Sequence, residues 1–394
     1  MNKTTIVHVC NDSLFNEFII DQFEQVNPSQ NIYLVLTEKI GSPLKFSHPK
    51  ITTLTRKEVK KFVFNNSIFI LHSLFHSNLW FLSVLPKRKT IAWFSWGADL
   101  NYLGSNNDET KNLEPITLQH QQKLSSIKNK FYALLERHTH IHKWFYFLRN
   151  GNHHPLHIKA KSLSKVDFIS TVLPQERPLL NHLKTLKATY VEYNYGYIDH
   201  LIRGYSAERD QLSKGVYVGH ASFYSNNQID VLHKLHSIAY NGDILCPISY
   251  GEKECANVIK DLNKQLFDNR INTLSTIIPY LEFTKLLASN HVMVLNTIHQ
   301  QGVGNLLMGL YMGMKVFLNE KGLLFMYCKS LGLKVYSFQK DFNSTTIEDL
   351  QEMDLTIKNR KILDHVLSKK VVLQKTLNIV NLLYHTQSTI KELE

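Results

Sequence analysis

Short apolar runs alternate with helical patterns along the first third of the chain. TTIVHV (4–9), NIYLVL (31–36), SIFIL (67–71) and KTIAWFS (89–95) read as buried strands, and LFNEFIIDQFEQV (14–26) reads as a helix between two of them. Strands that are apolar on both faces and alternate with helices predict a doubly wound parallel sheet. Near residues 105–160 the pattern turns polar, basic and helical, which reads as an insertion at the sheet's edge; strand signals return in VDFIS (166–170) and YVEYNY (190–195). A second register opens at Lys214-Gly215 with the strand VYVG, a polar loop, and a helix bearing Ile229, Leu232, Leu235 and Ile238 at helical spacing. DILCPI, TLSTII, HVMVLN, KVFLN and KVYSF follow as strands with helices between them. The expectation is an α/β chain of two Rossmann-like domains facing each other across a cleft, with ligands at the carboxyl ends of the strands. The expected boundaries are 1–205 for the first domain with its insertion near 105–160, 206–345 for the second, and 346–394 as helices packing across both.

The length of 394 residues favours two domains, and 43% hydrophobic with 20% charged residues is ordinary for a globular enzyme. No run reaches the roughly 18 apolar residues of a membrane span. Cys10, Cys246, Cys255 and Cys328 lack metal spacing and read as core thiols. The net charge of +12 changes the picture, because it calls for an anionic partner. It concentrates between Gln121 and Lys165, where nine Lys or Arg meet one acid, six histidines and six aromatics. That mixture suits an anionic membrane surface, and it equally fits helices with a solvated basic face.

Four segments carry candidate chemistry. His299-Gln300-Gln301-Gly302-Val303-Gly304-Asn305 joins a strand to a helix; its glycines let backbone N–H groups approach a phosphate, with Gln300, Gln301 and Asn305 as further donors, or it is a tight turn that binds nothing. Val218-Gly219 followed by Ser225 and Asn226 offers a second diphosphate cradle or a helix cap. In Pro279–Phe283, Tyr280 reads as a ring to stack a base and Glu282 as an acceptor for ribose hydroxyls, or Glu282, three residues before Lys285, as a solvated helix start. In WFSWGADL (93–100), Asp99 lies at a strand's carboxyl edge, where a general base belongs or where a carboxylate caps a turn. His8, His72 and Trp96 stand on the same, acceptor side; strand-end histidines also serve as satisfied core residues. No DxD-type acidic pair is present, and His138, His140 and His142 lack a carboxylate or cysteine at zinc spacing, so no metal and no cofactor are expected.

At these residues the sequence resembles the bacterial 4-acetamidofucosyl transferases of enterobacterial common antigen synthesis, glycosyltransferase family 56. FILHSLFHSNLW (69–80), WGADL (96–100), VGHASFYSNN (218–227), ILCPISYG (244–251), LEFTKLLASNHVMVLNTIHQQGVGN (281–305) and KVFLNEKGLLFMYCKSLGLKVY (315–336) carry the resemblance. It implies a GT-B fold and metal-independent transfer from a nucleoside-diphosphate sugar, dTDP- or UDP-linked, to a lipid-linked or glycan acceptor at the cytoplasmic face of the inner membrane. It places the donor against Gly219, Ser225, Asn226, Glu282, Gln301 and Gly302, and the acceptor near His72 and Asp99. The long basic insertion departs from the family and leaves donor sugar and acceptor open. A sugar-nucleotide epimerase or phosphorylase shares the two-domain plan. A nucleic-acid-binding protein would use the same charge, but no zinc, helix-turn-helix or RNA-recognition signature accompanies it, and no nucleic-acid partner is expected.

Overall fold

A computed structural model describes residues 4–38, 42–103, 109–124, 161–205, 215–348 and 353–392. They form two compact units, each built on one all-parallel sheet.

The first unit's sheet comprises β1 (Ile6–Cys10), β2 (Asn31–Thr37), β3 (Ile51–Thr55), β4 (Ile68–His72), β5 (Thr90–Phe94), β6 (Phe168–Ser170) and β7 (Thr189–Tyr190), in the order β3-β2-β1-β4-β5-β6-β7. Every residue of β1, β4 and β5 is buried, because apolar clusters cover both faces of the sheet. The edge strand β3, ITTLT, escapes sequence reading because it is half polar and only partly buried. One face packs on Phe69, Phe81, Trp93 and Ile169, the other on Phe23, Tyr33, Phe94 and Tyr193.

The second unit's sheet comprises β8 (Gly215–Val218), β9 (Ile244–Pro247), β10 (Ile271–Leu274), β11 (Asn290–Leu295), β12 (Lys315–Leu318) and β13 (Tyr336–Ser337), in the order β10-β9-β8-β11-β12-β13. β10 starts two residues before the predicted TLSTII, and the residues after Leu274 leave the sheet.

The boundaries depart from the expected ones in three places, the first being that residues 198–205 belong to the second unit. Residues 109–124 pack with the second unit instead of extending the first. The carboxylate of Asp230, on the helix Gln228–Ser237, accepts from Ile116 N–H (3.0 Å) and Thr117 N–H (2.8 Å), satisfying the orphan donors that open the helix Pro115–Leu124. Glu114 N–H donates to Asn227 Oδ1 at 2.8 Å. At the far end, the helix Met353–Val366 stays with the second unit, whereas the helix Lys369–Glu392 belongs to the first. Ile379, Val380 and Leu383 of that last helix are buried beside Phe23, and Gln387 Oε1 accepts from Thr90 N–H and Oγ1–H. The rest of the predicted basic aromatic stretch, residues 125–160, lies outside the described residues. All four cysteines are buried free thiols.

Candidate functional site

The strand order of each sheet reverses once, between β1 and β4 in the first unit and between β8 and β11 in the second. At such a switch point the loops leaving neighbouring strands diverge and open a crevice at their carboxyl ends.

In the first unit the carboxyl ends of β4 and β5 are held by Asp99. Leu74 N–H (2.7 Å) and Trp93 Nε1–H (2.9 Å) donate to one carboxylate oxygen; Ser95 Oγ–H (2.9 Å) and Trp96 N–H (2.8 Å) donate to the other. The side chain is fully buried, and burial raises its pKa against those four donors. Asp99 therefore stands at the predicted strand end but acts as a clamp: both oxygens are occupied, so the geometry does not suit a general base. His8 and His72 are likewise fully buried. The amide of Asn31 donates to Asn27 O (2.7 Å) and Glu24 Oε1 (3.1 Å), so its oxygen faces His8 Nε2 at 3.2 Å and assigns the proton there. His8 Nδ1 then accepts from His72 Nε2–H at 3.1 Å, and His72 Nδ1 faces the Tyr195 hydroxyl at 3.2 Å. Burial pushes the His8 pKa down to about 3 and lowers that of His72, so the pair is neutral and belongs to the core instead of an acceptor surface. Trp96 is half-buried and stays at the surface. It packs edge-on against Phe15 (5.7 Å between ring centres), which is 46% exposed, and against Tyr195 (6.1 Å).

In the second unit three loops converge beside the switch point. Gly219 ends β8 with φ +72°, and its N–H bonds Val294 O on β11. A Cβ there would sit 2.5 Å from the Gln228 side chain, which reaches back to Val218 O and Pro247 O; Gly219 is required by packing as well as by φ. Gln301 ties the β8 and β11 loops together: its Nε2–H donates to Ser225 Oγ (3.1 Å) and its oxygen accepts from Asn226 Nδ2–H (3.1 Å). Three predicted donor residues, Ser225, Asn226 and Gln301, thus meet across 75 positions of sequence. Gly302, with φ +71°, then opens the helix Val303–Met312, whose first turn carries no side-chain cap. The His220 ring lies against Gly302, 3.3 Å from where a Cβ would be, whereas a Cβ on Gly304 would meet nothing within 4 Å. The helix start therefore faces open space with its N–H groups unused by side chains. On the same loop, Asn296 Nδ2, Thr297 Oγ1 and His299 Nδ1 are buried without a hydrogen-bond partner. Burial pushes the pKa values of His220 and His299 down to about 4, so both are neutral imidazoles at pH 7.

The remaining predicted donor residues do other work. Asn305 Nδ2–H donates to the Tyr217 hydroxyl at 2.7 Å, fixing the helix to β8. Gln300 is buried. The Tyr280 hydroxyl donates to Leu201 O at 2.7 Å and the ring lies under Arg203, so Tyr280 is engaged in the unit's own packing. Glu282 is exposed in the first turn of the helix Tyr280–Ala288. Among the described residues no group of three or more His, Cys, Asp or Glu could hold a metal ion.

No protein-family model and no curated protein matches the sequence. Solved structures do match the backbone. Sucrose-phosphate synthase from Thermosynechococcus elongatus superposes with a TM-score of 0.61 at 10% identity, covering 97% of this chain and 100% of that one. A trehalose-6-phosphate synthase gives 0.59 at 10% identity, over 97% of this chain and 99% of the other. WaaG, a glycosyltransferase involved in lipopolysaccharide biosynthesis, gives 0.55 at 8% identity, over 95% and 99%. The chain has the GT-B fold.

Within this GT-B fold, three further residues stand at the second unit's switch point. Tyr250, on the loop after β9, is 50% exposed and packs edge-on against His220 and Phe223, each at 6.2 Å. Glu114 bonds Asn319 Nδ2 (2.7 Å) beside the carboxyl end of β12. His220 and Tyr250 lie in the stretches 218–227 and 244–251 without a chemical signature of their own; the loop packing that brings them together is visible only in the fold. Phe15, beside Trp96 in the first unit, is similarly silent in sequence because it precedes an ordinary helix.

Proposed function

We propose that this chain is a glycosyltransferase that moves a sugar from a nucleoside-diphosphate donor to a saccharide acceptor. One observation carries the reading. The helix Val303–Met312 begins uncapped at the second unit's switch point, faces open space at Gly304, and follows a loop with three orphaned buried polar atoms. A diphosphate supplies what that arrangement lacks: negative charge for the helix dipole and acceptors for unused donors. Hydrogen bonds and dipole aimed at the diphosphate favour the charge that builds on it as the glycosidic bond breaks. His220 and His299, neutral and close by, serve as N–H donors.

The solved relatives in fold support the class: sucrose-phosphate synthase, trehalose-6-phosphate synthase and WaaG. The resemblance to family 56 favours a dTDP- or UDP-linked donor, transfer without a metal, and a lipid-linked acceptor in surface polysaccharide synthesis at an inner membrane. On the first unit, the exposed Phe15 ring and the half-buried Trp96 ring beside it offer a surface on which the C–H face of an acceptor sugar stacks. The occupied carboxylate of Asp99 favours retention of configuration, which needs no base at that position; glycosyltransfer with retention is what the trehalose-6-phosphate synthase is described as performing.

The test is thermal stabilisation of the purified protein by UDP, dTDP, GDP and CMP, with and without magnesium. A ligand at a hundred times its Kd adds about 2.7 kcal/mol. One nucleoside diphosphate standing out without magnesium supports the reading. No stabilisation by any of them removes it.

A further inference from the structure

The second surface of interest lies at the opposite end of the first unit's sheet, where the strands begin. Because all strands are parallel, the loops entering β4, β5, β6 and β7 emerge along one edge. Register fixes their order: Ile68 pairs with Thr90, Ala92 with Phe168, and Phe168 with Thr189. The loop before β5 therefore runs beside the residues before β6, and these beside the loop before β7, at about 4.8 Å per strand.

Those loops read Leu85-Pro86-Lys87-Arg88-Lys89, Lys161-Ser162-Leu163-Ser164-Lys165 and Leu183-Lys184-Thr185-Leu186-Lys187. They carry seven cations and no acid. The next acid, Asp167, is turned inward to accept from Ile91 N–H. Lys165 is spent structurally, its ammonium donating to Leu82 O, Ser83 O and Leu85 O at the end of the helix His76–Val84. Lys87, Arg88, Lys161, Lys184 and Lys187 are exposed, and Lys60 and Lys61 add charge on the helix that leads to β4.

Apolar side chains stand among these charges. Phe64, at the end of the helix Val59–Asn65, is 84% exposed, the most exposed large hydrophobic side chain among the described residues, and Lys89 Nζ–H donates to its carbonyl at 3.5 Å. Val84 is exposed at the end of the neighbouring helix. A groove of about 650 Å³ beside β6 and β7 has apolar walls of Leu180, Leu183 and Leu186 with Arg177 and Lys184 at its polar side.

We infer that this edge docks on an anionic lipid bilayer, with the cations on headgroup phosphates and Phe64 at the depth of the upper acyl chains. The combination decides between polyanions. Lysines alone fit any of them, but an isolated, fully projecting phenylalanine among lysines loses nothing in a bilayer interface and gains burial there. A nucleic-acid duplex takes such a side chain only by unstacking a base step, a cost that a bilayer interface does not impose. This inference does not rest on sugar transfer, and either can fail alone.

The test is co-sedimentation of the full chain with vesicles of phosphatidylcholine, with and without about one-third phosphatidylglycerol. The expected result is binding to the anionic vesicles only, weakened by salt. The triple variant Lys87→Gln/Lys184→Gln/Lys187→Gln loses roughly a hundredfold in affinity, and Phe64→Ser loses roughly tenfold with the salt dependence unchanged. All four positions are exposed, and an unchanged thermal melt checks that each variant is folded. Binding to anionic vesicles that both variants retain in full, or no binding by the native chain, overturns the proposal. So does an oligonucleotide that binds through the same lysines and is indifferent to Phe64→Ser.

Discussion

Two glycines two residues apart in the helix start should respond oppositely to the same added methyl group. Gly302 has φ +71°, and a Cβ would stand 3.3 Å from the His220 ring; alanine there costs about 1–2 kcal/mol for the left-handed backbone alone. Gly304 is the second residue of the helix with ordinary φ and open space around the position of a Cβ. Alanine there leaves the fold intact and stabilises the helix by up to about 1 kcal/mol. If a diphosphate lies on the N–H groups of residues 303–305, that methyl occupies its place, and affinity falls about tenfold for each 1.4 kcal/mol of binding free energy removed. At a ligand concentration of a hundred times the native Kd, a tenfold weaker variant keeps about 1.4 of the 2.7 kcal/mol of stabilisation. For a unit of this size each kcal/mol moves the midpoint by about 2–4 °C, so the difference is readable by scanning calorimetry or dye fluorescence. The expected signature of Gly304→Ala is an unchanged or raised ligand-free midpoint with a nucleotide shift roughly halved. An unaltered nucleotide shift would refute the placement of the diphosphate at this helix; a lowered ligand-free midpoint would refute the open space around Gly304.

Asp99→Asn turns one acceptor oxygen into an N–H₂ facing two donors, so it should lower stability by about 2–4 kcal/mol, measured by denaturant unfolding, whereas a lost general base would spare stability and remove turnover. Gln301→Ala removes two hydrogen bonds between the β8 and β11 loops and should cost about 1–3 kcal/mol together with most of the nucleotide shift, read in the same melts. The folded pKa of His8, about 3, lies below the ordinary 6.5, so its contribution to stability is complete above pH 6.5 and drains as pH falls from there toward 3. Denaturant midpoints should therefore drop between pH 6 and pH 4 in the native chain, and markedly less in His8→Phe if that variant folds.

Most of the fold was legible because nearly every central strand is apolar on both faces, as in TIVHV and SIFIL, and such runs have few alternatives. β3 was not, since ITTLT at a sheet edge shows neither a full apolar run nor a clean alternation. The allegiance of residues 109–124 was not legible either. It depends on Asp230 capping a helix more than a hundred positions earlier, and nothing in the local sequence marks that pairing. For the site, the position of a residue could be read but its burial could not. WFSWGADL puts Asp99 at a strand end, yet only the fold shows that Leu74, Trp93, Ser95 and Trp96 consume its oxygens. HQQGVGN announces a strand-to-helix turn with room for an anion. That Gln301 faces Ser225 and Asn226, and that His220 packs on Gly302, are long-range facts.

The two switch points share a topology and differ in what their loops leave unsatisfied. In the first unit the carboxyl ends of β1 and β4 are closed by amides: Asn11 Nδ2–H donates to His72 O at 3.1 Å, and Asn78 Nδ2–H to His72 O and Ser73 O at 3.3 and 3.2 Å. The imidazoles beneath are neutral and paired, and the buried atoms left unmatched among the neighbouring residues are Asn16 Oδ1 and Trp96 Nε1. In the second unit the side chains brace the loops against one another while the helix start and the buried atoms of Asn296, Thr297 and His299 stay unmatched. The phosphates of a nucleoside diphosphate should therefore fall on the second unit's helix start. Hydrogen exchange tests this division directly. A nucleoside diphosphate should slow exchange at the amides of residues 302–306 and leave residues 11–13 and 73–75 unchanged. Protection at the first unit's loops with none at 302–306 would assign the phosphate to the other crevice.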